Sequence, residues 1–162
     1  MKTGGLYAAT TANRDRRLAI KNMHTGEYLD EVYWHGGDYL PEAAGAFNHL
    51  MRDHRRDETC TMDPALLDLL NAVHRHVDAP FGIELYSGYR SPETNRELRK
   101  HNKGVAKKSY HMRGMAADIR IPGVSLEATR KAAIALGRGG VGYYAKSGFI
   151  HVDTGWVRHW CG

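Results

Sequence analysis

The sequence predicts one α+β domain, a central and mainly antiparallel sheet with helices packed on it. Three observations carry that prediction. Short β-rich runs and capped amphipathic segments follow one another over brief connections, the signature of helices segregated on an antiparallel sheet. The 162 residues are enough to bury one core, and no repeat, low-complexity tract or linker divides them. A hydrophobic content of 42% against 25% charged is that of an ordinary folded chain and excludes disordered and collagen-like classes.

Each element has a local reason. Residues 1–16 read as a flexible N-terminal segment and 17–162 as the domain. "RRLAIKN" and "GEYLDEVYW" are β-rich runs joined by the turn-like "MHTG" and form a hairpin. "PEAAGAFNHLMRDHRRD" places Ala44, Phe47, Leu50 and Met51 at helical spacing behind Pro41, and its mixed-sign end reads as solvated. "DPALLDLLNAVHRHV" is a helix with Asp63 as N-cap, Pro64 in the first turn and Leu66, Leu67, Leu70 and Val73 as its buried stripe. "FGIELYSGYR" is a strand entering a glycine turn, and Ser91 and Pro92 then start a helix over "SPETNRELRKH". Residues 102–113 have no period and read as a basic loop. "MAADIRI" alternates as a strand, and "SLEATRKAAIALG" is a capped helix closed by Gly137. "GGVGYY" and "GFIHVDT" are two closing strands around the turn "AKS".

The net charge of +5 points toward a polyanion: nucleic acid, an anionic lipid surface or an acidic polymer such as a cell wall. No nucleic-acid-binding motif accompanies it, so nucleic acid is not an expected partner. No apolar run reaches membrane-spanning length, and the start has no apolar core of a signal peptide. Cys60 and Cys161 form no C-x-x-C motif and leave the redox compartment open, and nothing sets an oligomeric state.

The chemistry gathers late in the chain. In "SYHMRGMAADIRI", His111 precedes Asp118 by seven residues, from a loop into a strand. In "GFIHVDTG", His151 and Asp153 are two apart and share one face of a strand. His111, Asp118 and His151 together make a His-Asp-His set, and three such ligands leave a fourth tetrahedral position open, as in catalytic zinc sites. Nitrogen and carboxylate donors without thiolate suit Zn²⁺, with Mn²⁺ and Fe²⁺ as the alternatives.

These residues also fit Ser-x-His-x6-Asp followed by a downstream histidine, with Ser109, His111, Asp118 and His151 at its positions. The chain thereby resembles the LAS group of zinc peptidases, which includes D-Ala-D-Ala dipeptidases and carboxypeptidases and the hedgehog-like domains. "SGYRSPETNRELR", "GVAKKSYHMRGMAADIRI", "GGVGYYAKSGFIHVDTG" and "VRHW" bring it closest to the murein DD/LD-endopeptidase K subfamily, over nearly its whole length. The resemblance implies a LAS/hedgehog-like peptidase fold with the zinc site at loop and strand edges, His111, Asp118 and His151 being the ligands. It implies that Arg90 stabilises the oxyanion and that Ser109 binds substrate, the competing reading for Ser109 being a loop serine bonded to its own backbone.

The sequence departs from the dipeptidases at the general base. Where they place a glutamate three residues before the last histidine, this chain has Gly148. Asp153 is the first candidate for that role and His159 the second, while Asp153 has the alternative of orienting His151 through its other ring nitrogen. The implied activity is zinc-dependent hydrolysis of peptidoglycan cross-links, D-Ala–diaminopimelate or diaminopimelate–diaminopimelate, with stem peptides as partners. The alternative is a zinc-stabilised module of the same fold that binds and cleaves nothing. Lys107 and Lys108 are placed to meet stem-peptide carboxylates, or else form a solvated loop. Cell-wall work implies a periplasmic protein, expected here with its export signal trimmed or its start misassigned.

Overall fold

A computed structural model describes residues 14–162. The expected flexible segment lies outside the described residues up to residue 13, and its last residue, Arg16, already opens a strand. The order is β1 (Arg16–Asn22), β2 (Tyr28–His35), β3 (Asp38–Tyr39), α1 (Pro41–Leu50), α2 (Pro64–His76), β4 (Ile83–Ser87), α3 (Pro92–His101), a 3₁₀ turn (Tyr110–Arg113), β5 (Ala116–Arg120), α4 (Leu126–Leu136), β6 (Gly140–Tyr144), β7 (Phe149–Asp153) and β8 (Arg158–Cys161).

Helix starts follow their caps. Asp63 accepts from Ala65 N–H, Ser91 from Thr94 N–H and Ser125 from Ala128 N–H, satisfying donors that the first helical turn leaves orphaned. α1 stops at Leu50, short of the mixed-sign tail expected to continue it. That tail is not solvated at Asp53. Its carboxylate is buried and accepts from Ser91 N–H at 2.9 Å and Arg55 N–H at 3.0 Å, tying the loop to the start of α3. A carboxylate that finds backbone donors can be buried where composition alone suggests solvent.

The eight strands form one sheet in the order β3-β2-β1-β4-β5-β7-β6-β8. Pairing is antiparallel except for β1/β4 and β6/β8, so the mainly antiparallel expectation holds. Strand alternation sorts the two faces. Leu18, Ile20, Ile119, Ile150 and Val152 enter the apolar core with Leu66, Leu70 and Val73 of α2. Asp118, His151 and Asp153 take the intervening positions and face the other way.

Asp68 on α2 joins several elements. It accepts from Tyr33 Oη at 2.9 Å and Tyr39 Oη at 2.7 Å, and pairs with Arg16 at 2.6 Å. Burial alone would raise its carboxyl pKa, but Arg16 and the two phenols outweigh burial and hold it below the ordinary range. A depressed folded-state value gives stability that is complete above the unfolded pKa of about 4 and is lost as pH falls through the folded value. Asp68→Asn should therefore lower the melting temperature at neutral pH and flatten its fall below about pH 4. Circular dichroism melts across that range check this, and an unchanged acid slope would refute it.

Candidate metal centre

Sheet register assembles the site. Ser87 on β4 stands opposite Asp118, Asp118 opposite His151, His151 opposite Gly142 and Gly142 opposite Trp160. One row of side chains thus crosses five strands on the face away from the core. The neighbouring row carries Ala116, Asp153, Gly140 and Arg158, as their pairings require.

His111 reaches this row from the 3₁₀ turn. Ser109 caps the turn, its hydroxyl oxygen accepting from His111 N–H at 3.3 Å. The Gly88 carbonyl lies 2.7 Å from His111 Nδ1. A carbonyl can only accept, so Nδ1 carries the proton and Nε2 presents a lone pair. His151 lies between two carboxylates, Nε2 2.9 Å from Asp153 Oδ2 and Nδ1 2.9 Å from Asp118 Oδ1. Burial acts to lower its pKa, but these two carboxylates outweigh burial and raise it, so a metal at Nδ1 would take the place of a proton while Nε2 stays bonded to Asp153.

These two ring nitrogens and Asp118 Oδ1 converge. His111 Nε2 is 3.2 Å from His151 Nδ1 and 3.2 Å from Asp118 Oδ1, and His151 Nδ1 is 2.9 Å from the same oxygen. All three side chains are buried. Three ligand atoms within 3.2 Å of one another make a cluster that a cation would stabilise, and the three residues form a group that could hold a metal ion. The spacing suits one, since bonds of 2.0–2.1 Å in a tetrahedron put ligand atoms roughly 3.3 Å apart. Burial lowers the His111 pKa, and for Asp118 the two histidines outweigh a burial cost that acts upward, keeping the carboxyl well below the usual range. Both shifts favour the deprotonated, metal-binding forms.

Asp153 stands on the opposite side of the His151 ring from Asp118 and His111. It is fully buried and accepts from Gly140 N–H (3.1 Å), Gly155 N–H (2.9 Å) and both Arg158 terminal nitrogens (3.0 and 2.7 Å) as well as from His151. Burial would raise its pKa, but His151, Arg158 and Gly155 N–H hold it far below the ordinary range. Arg158 and Trp160 reach across β6 because β6 presents glycine to them. A Cβ on Gly140 would strike the Arg158 guanidinium, and one on Gly142 would come within 2.7 Å of the Trp160 indole. Trp160 then walls the His151 ring, with centroids 5.3 Å apart. His159 alternates to the other face of β8, is exposed, and does not line the cleft above the ligands.

Arg90 lies at the edge of the centre, mostly buried. Its Nη2 is 3.6 Å from Asp118 Oδ2 and donates to Ser87 Oγ at 3.3 Å, while Nη1 donates to Asn95 at 3.5 Å. The centre forms part of the floor of an open cleft of about 1250 Å³, which Arg90, Ser109 and Lys108 also line. Gly148, at the position of the dipeptidase glutamate, sits in the turn before β7. Cys60 and Cys161 are both free thiols.

Comparison with known families decides the class. The Peptidase_M15_2 family, described as peptidoglycan L,D-endopeptidase MepK, matches residues 10–160. The chain belongs to this family. Among curated relatives, the peptidoglycan L,D-endopeptidase MepK of Escherichia coli (strain K12) is 43% identical over 154 residues, covering 95% of this chain and 85% of that protein. The probable peptidoglycan L,D-endopeptidase MepK of Haemophilus influenzae is 40% identical over 158 residues, covering 97% and 85%. The resemblance read from the motifs is therefore correct, and the chain is a peptidase of the MepK family, a metal-dependent group.

For this MepK-family chain, the sequence reading brought together His111, Asp118, His151, Arg90 and Ser109, and the structure places all five around one cleft. It missed Arg158 and Trp160, which β8 delivers. A signal was present. Glycines at alternate positions of a strand, Gly140 and Gly142, mark a close approach by a neighbour, and "RHW" supplies two large side chains with the same alternation. The contact of Asp153 with His151 yields a further expectation. Asp153→Asn should weaken metal affinity about 10- to 100-fold, the usual cost of losing the partner that orients a ligating histidine. Competition with a chromogenic chelator measures this, and unchanged affinity in a folded variant would dismiss the orienting role.

Proposed function

We propose that this chain is a zinc-dependent endopeptidase that hydrolyses peptide cross-links of peptidoglycan outside the cytoplasm, in the periplasm. The observation that supports it most is the convergence of three potential ligand atoms on the floor of a cleft open to a large substrate. His111 Nε2, Asp118 Oδ1 and His151 Nδ1 would hold the ion. When bound, zinc supplies Lewis-acid polarisation of a carbonyl and a nucleophile at neutral pH.

The remaining work falls to the chain. Arg90 offers a fixed guanidinium at the edge of the centre, where a scissile carbonyl gains negative charge. Its preorganisation by Asp118, Ser87 and Asn95 means little rearrangement accompanies that gain. Ser109 keeps its hydroxyl proton available to substrate, since its oxygen already serves His111 N–H. Asp153, clamped by Arg158, acts as the partner that fixes the His151 tautomer rather than as the proton acceptor first expected of it. The relatives named above are L,D-endopeptidases, and the diaminopimelate–diaminopimelate bond is accordingly assigned as the scissile one. Among the described residues no helix is long and apolar enough to cross a membrane.

Zinc-loaded protein incubated with purified sacculi and with defined cross-linked dimers should release monomers from the L,D-linked dimer, chelation should stop it, and added zinc should restore it. Mass spectrometry reads the products. Absence of released peptide would overturn the proposal in favour of a binding module, the reading that Gly148 at the dipeptidase base position favours.

A further inference from the structure

Four cations on the cleft wall take no part in the candidate centre. Arg55 comes from the loop after α1, Lys108 from the loop after α3, Arg113 from the 3₁₀ turn and Lys146 from the β6–β7 turn. Three stretches of chain, around residues 55, 108–113 and 146, thus bring positive charge to one cavity. Among the described residues, the only side-chain carboxylate lining the cleft is Asp118, which belongs to the candidate centre. Among the described residues, none of the four has a carboxylate within ion-pair distance.

The contrast within one loop is instructive. Arg52 holds Glu27 at 2.8 Å and Asp57 at 2.6 Å, and Arg56 holds Glu97 at 3.2 Å. Arg55, between them in sequence, instead faces the cleft. Arg113 stacks over the Tyr110 ring at 5.5 Å, which positions a guanidinium without neutralising it. The cleft is also partly apolar, with Tyr144, Phe149 and Trp160 in its lining. An aliphatic chain ending in a carboxylate matches both features.

We propose that Arg55, Lys108, Arg113 and Lys146 form a carboxylate-recognition rim that selects stem peptides whose diaminopimelate carboxylate is free over those in which it is a carboxamide. This rests on the peptidoglycan reading and adds the chemical form of the substrate. Amidation keeps shape and hydrogen-bonding reach but removes the charge. The four cations are exposed, so each contact is modest and the rim discriminates by their sum: the carboxamide loses those charge-assisted contacts and gains nothing in return. Such contacts contribute to binding before chemistry begins, so the discrimination appears in KM.

The test compares paired L,D-linked dimers, carboxylate and carboxamide, on wild type and on a Lys108→Met/Lys146→Met variant. Neither lysine belongs to the metal centre. Wild type should show a KM about tenfold lower for the carboxylate dimer, equivalent to roughly 1.4 kcal/mol. The variant should lose most of that preference with kcat unchanged, and Lys146→Arg should retain it. Titration with the uncleaved stem tetrapeptide in both forms reads the same preference without turnover. A protein that binds the carboxylate form selectively but cuts nothing would sustain the rim and refute the endopeptidase reading. Equal affinity for the two forms would overturn the rim whatever is cleaved. So would displacement of the tetrapeptide by duplex DNA at equal charge concentration, because a non-selective basic surface predicts that result.

Discussion

His111→Ala should leave a folded protein that retains almost no zinc and whose cross-link hydrolysis falls on the order of 10³-fold or more, the scale seen when one member of a catalytic unit is removed. The reason lies in the geometry. Nε2 of His111 is one corner of a triangle whose edges are 2.9 to 3.2 Å, and its removal leaves a carboxylate and one imidazole. Two ligands cannot close a tetrahedral shell against competing solvent. The substitution also strips Gly88 O of its donor, a local cost of about 1–3 kcal/mol that a stable domain survives. Metal content by plasma mass spectrometry and turnover of the L,D-linked dimer are read together. Melting beside metal-free wild type separates loss of the ligand from loss of the fold. A variant with full zinc and full activity would remove His111 from the centre.

Arg90→Ala should lower kcat about 10²- to 10³-fold, the loss that follows deletion of an oxyanion donor, while zinc content stays near that of wild type. The guanidinium contacts Asp118 Oδ2 at 3.6 Å, whereas the oxygen that faces the two histidines is Oδ1. Removing Arg90 therefore leaves the three converging atoms in place. KM should move far less than kcat, because charge on the carbonyl oxygen develops only along the reaction path. Arg90→Lys should recover little, since an ammonium cannot reproduce the planar fork that Ser87, Asn95 and Asp118 hold. If kcat is unchanged in Arg90→Ala, the arginine has only a structural role. If zinc is lost instead, its role runs through Asp118.

The helices of this protein were readable from neighbouring residues. Asp63, Ser91 and Ser125 sit immediately before apolar-periodic runs and cap them as expected, because a cap depends on residues two or three positions away. The residues of the candidate centre were readable for a related reason. His151 and Asp153 share a strand face by a period of two, and the spacing of Ser109, His111 and Asp118 is a motif of the family. By contrast, the end of α1 at Leu50 was not readable, since burial of Asp53 depends on Ser91 N–H thirty-eight positions on.

By itself, then, the sequence determined the fold class, the helix boundaries set by caps, the family and the three residues of the candidate centre. Tertiary structure alone placed Asp153 on the side of the His151 ring away from Asp118 and His111. The same His-x-Asp pair serves as base or as orienting partner depending on which side of the imidazole the carboxylate occupies. Here that side is set by β8, a strand of four residues that pairs in parallel with β6 and lays Arg158 over Gly140 onto Asp153. Tertiary structure likewise gathered Arg55, Lys108, Arg113 and Lys146 from three stretches of chain into one cleft. Local rules encode interactions across a few residues of chain, whereas these roles come from pairing and packing between distant segments, whose outcome no short window of sequence contains.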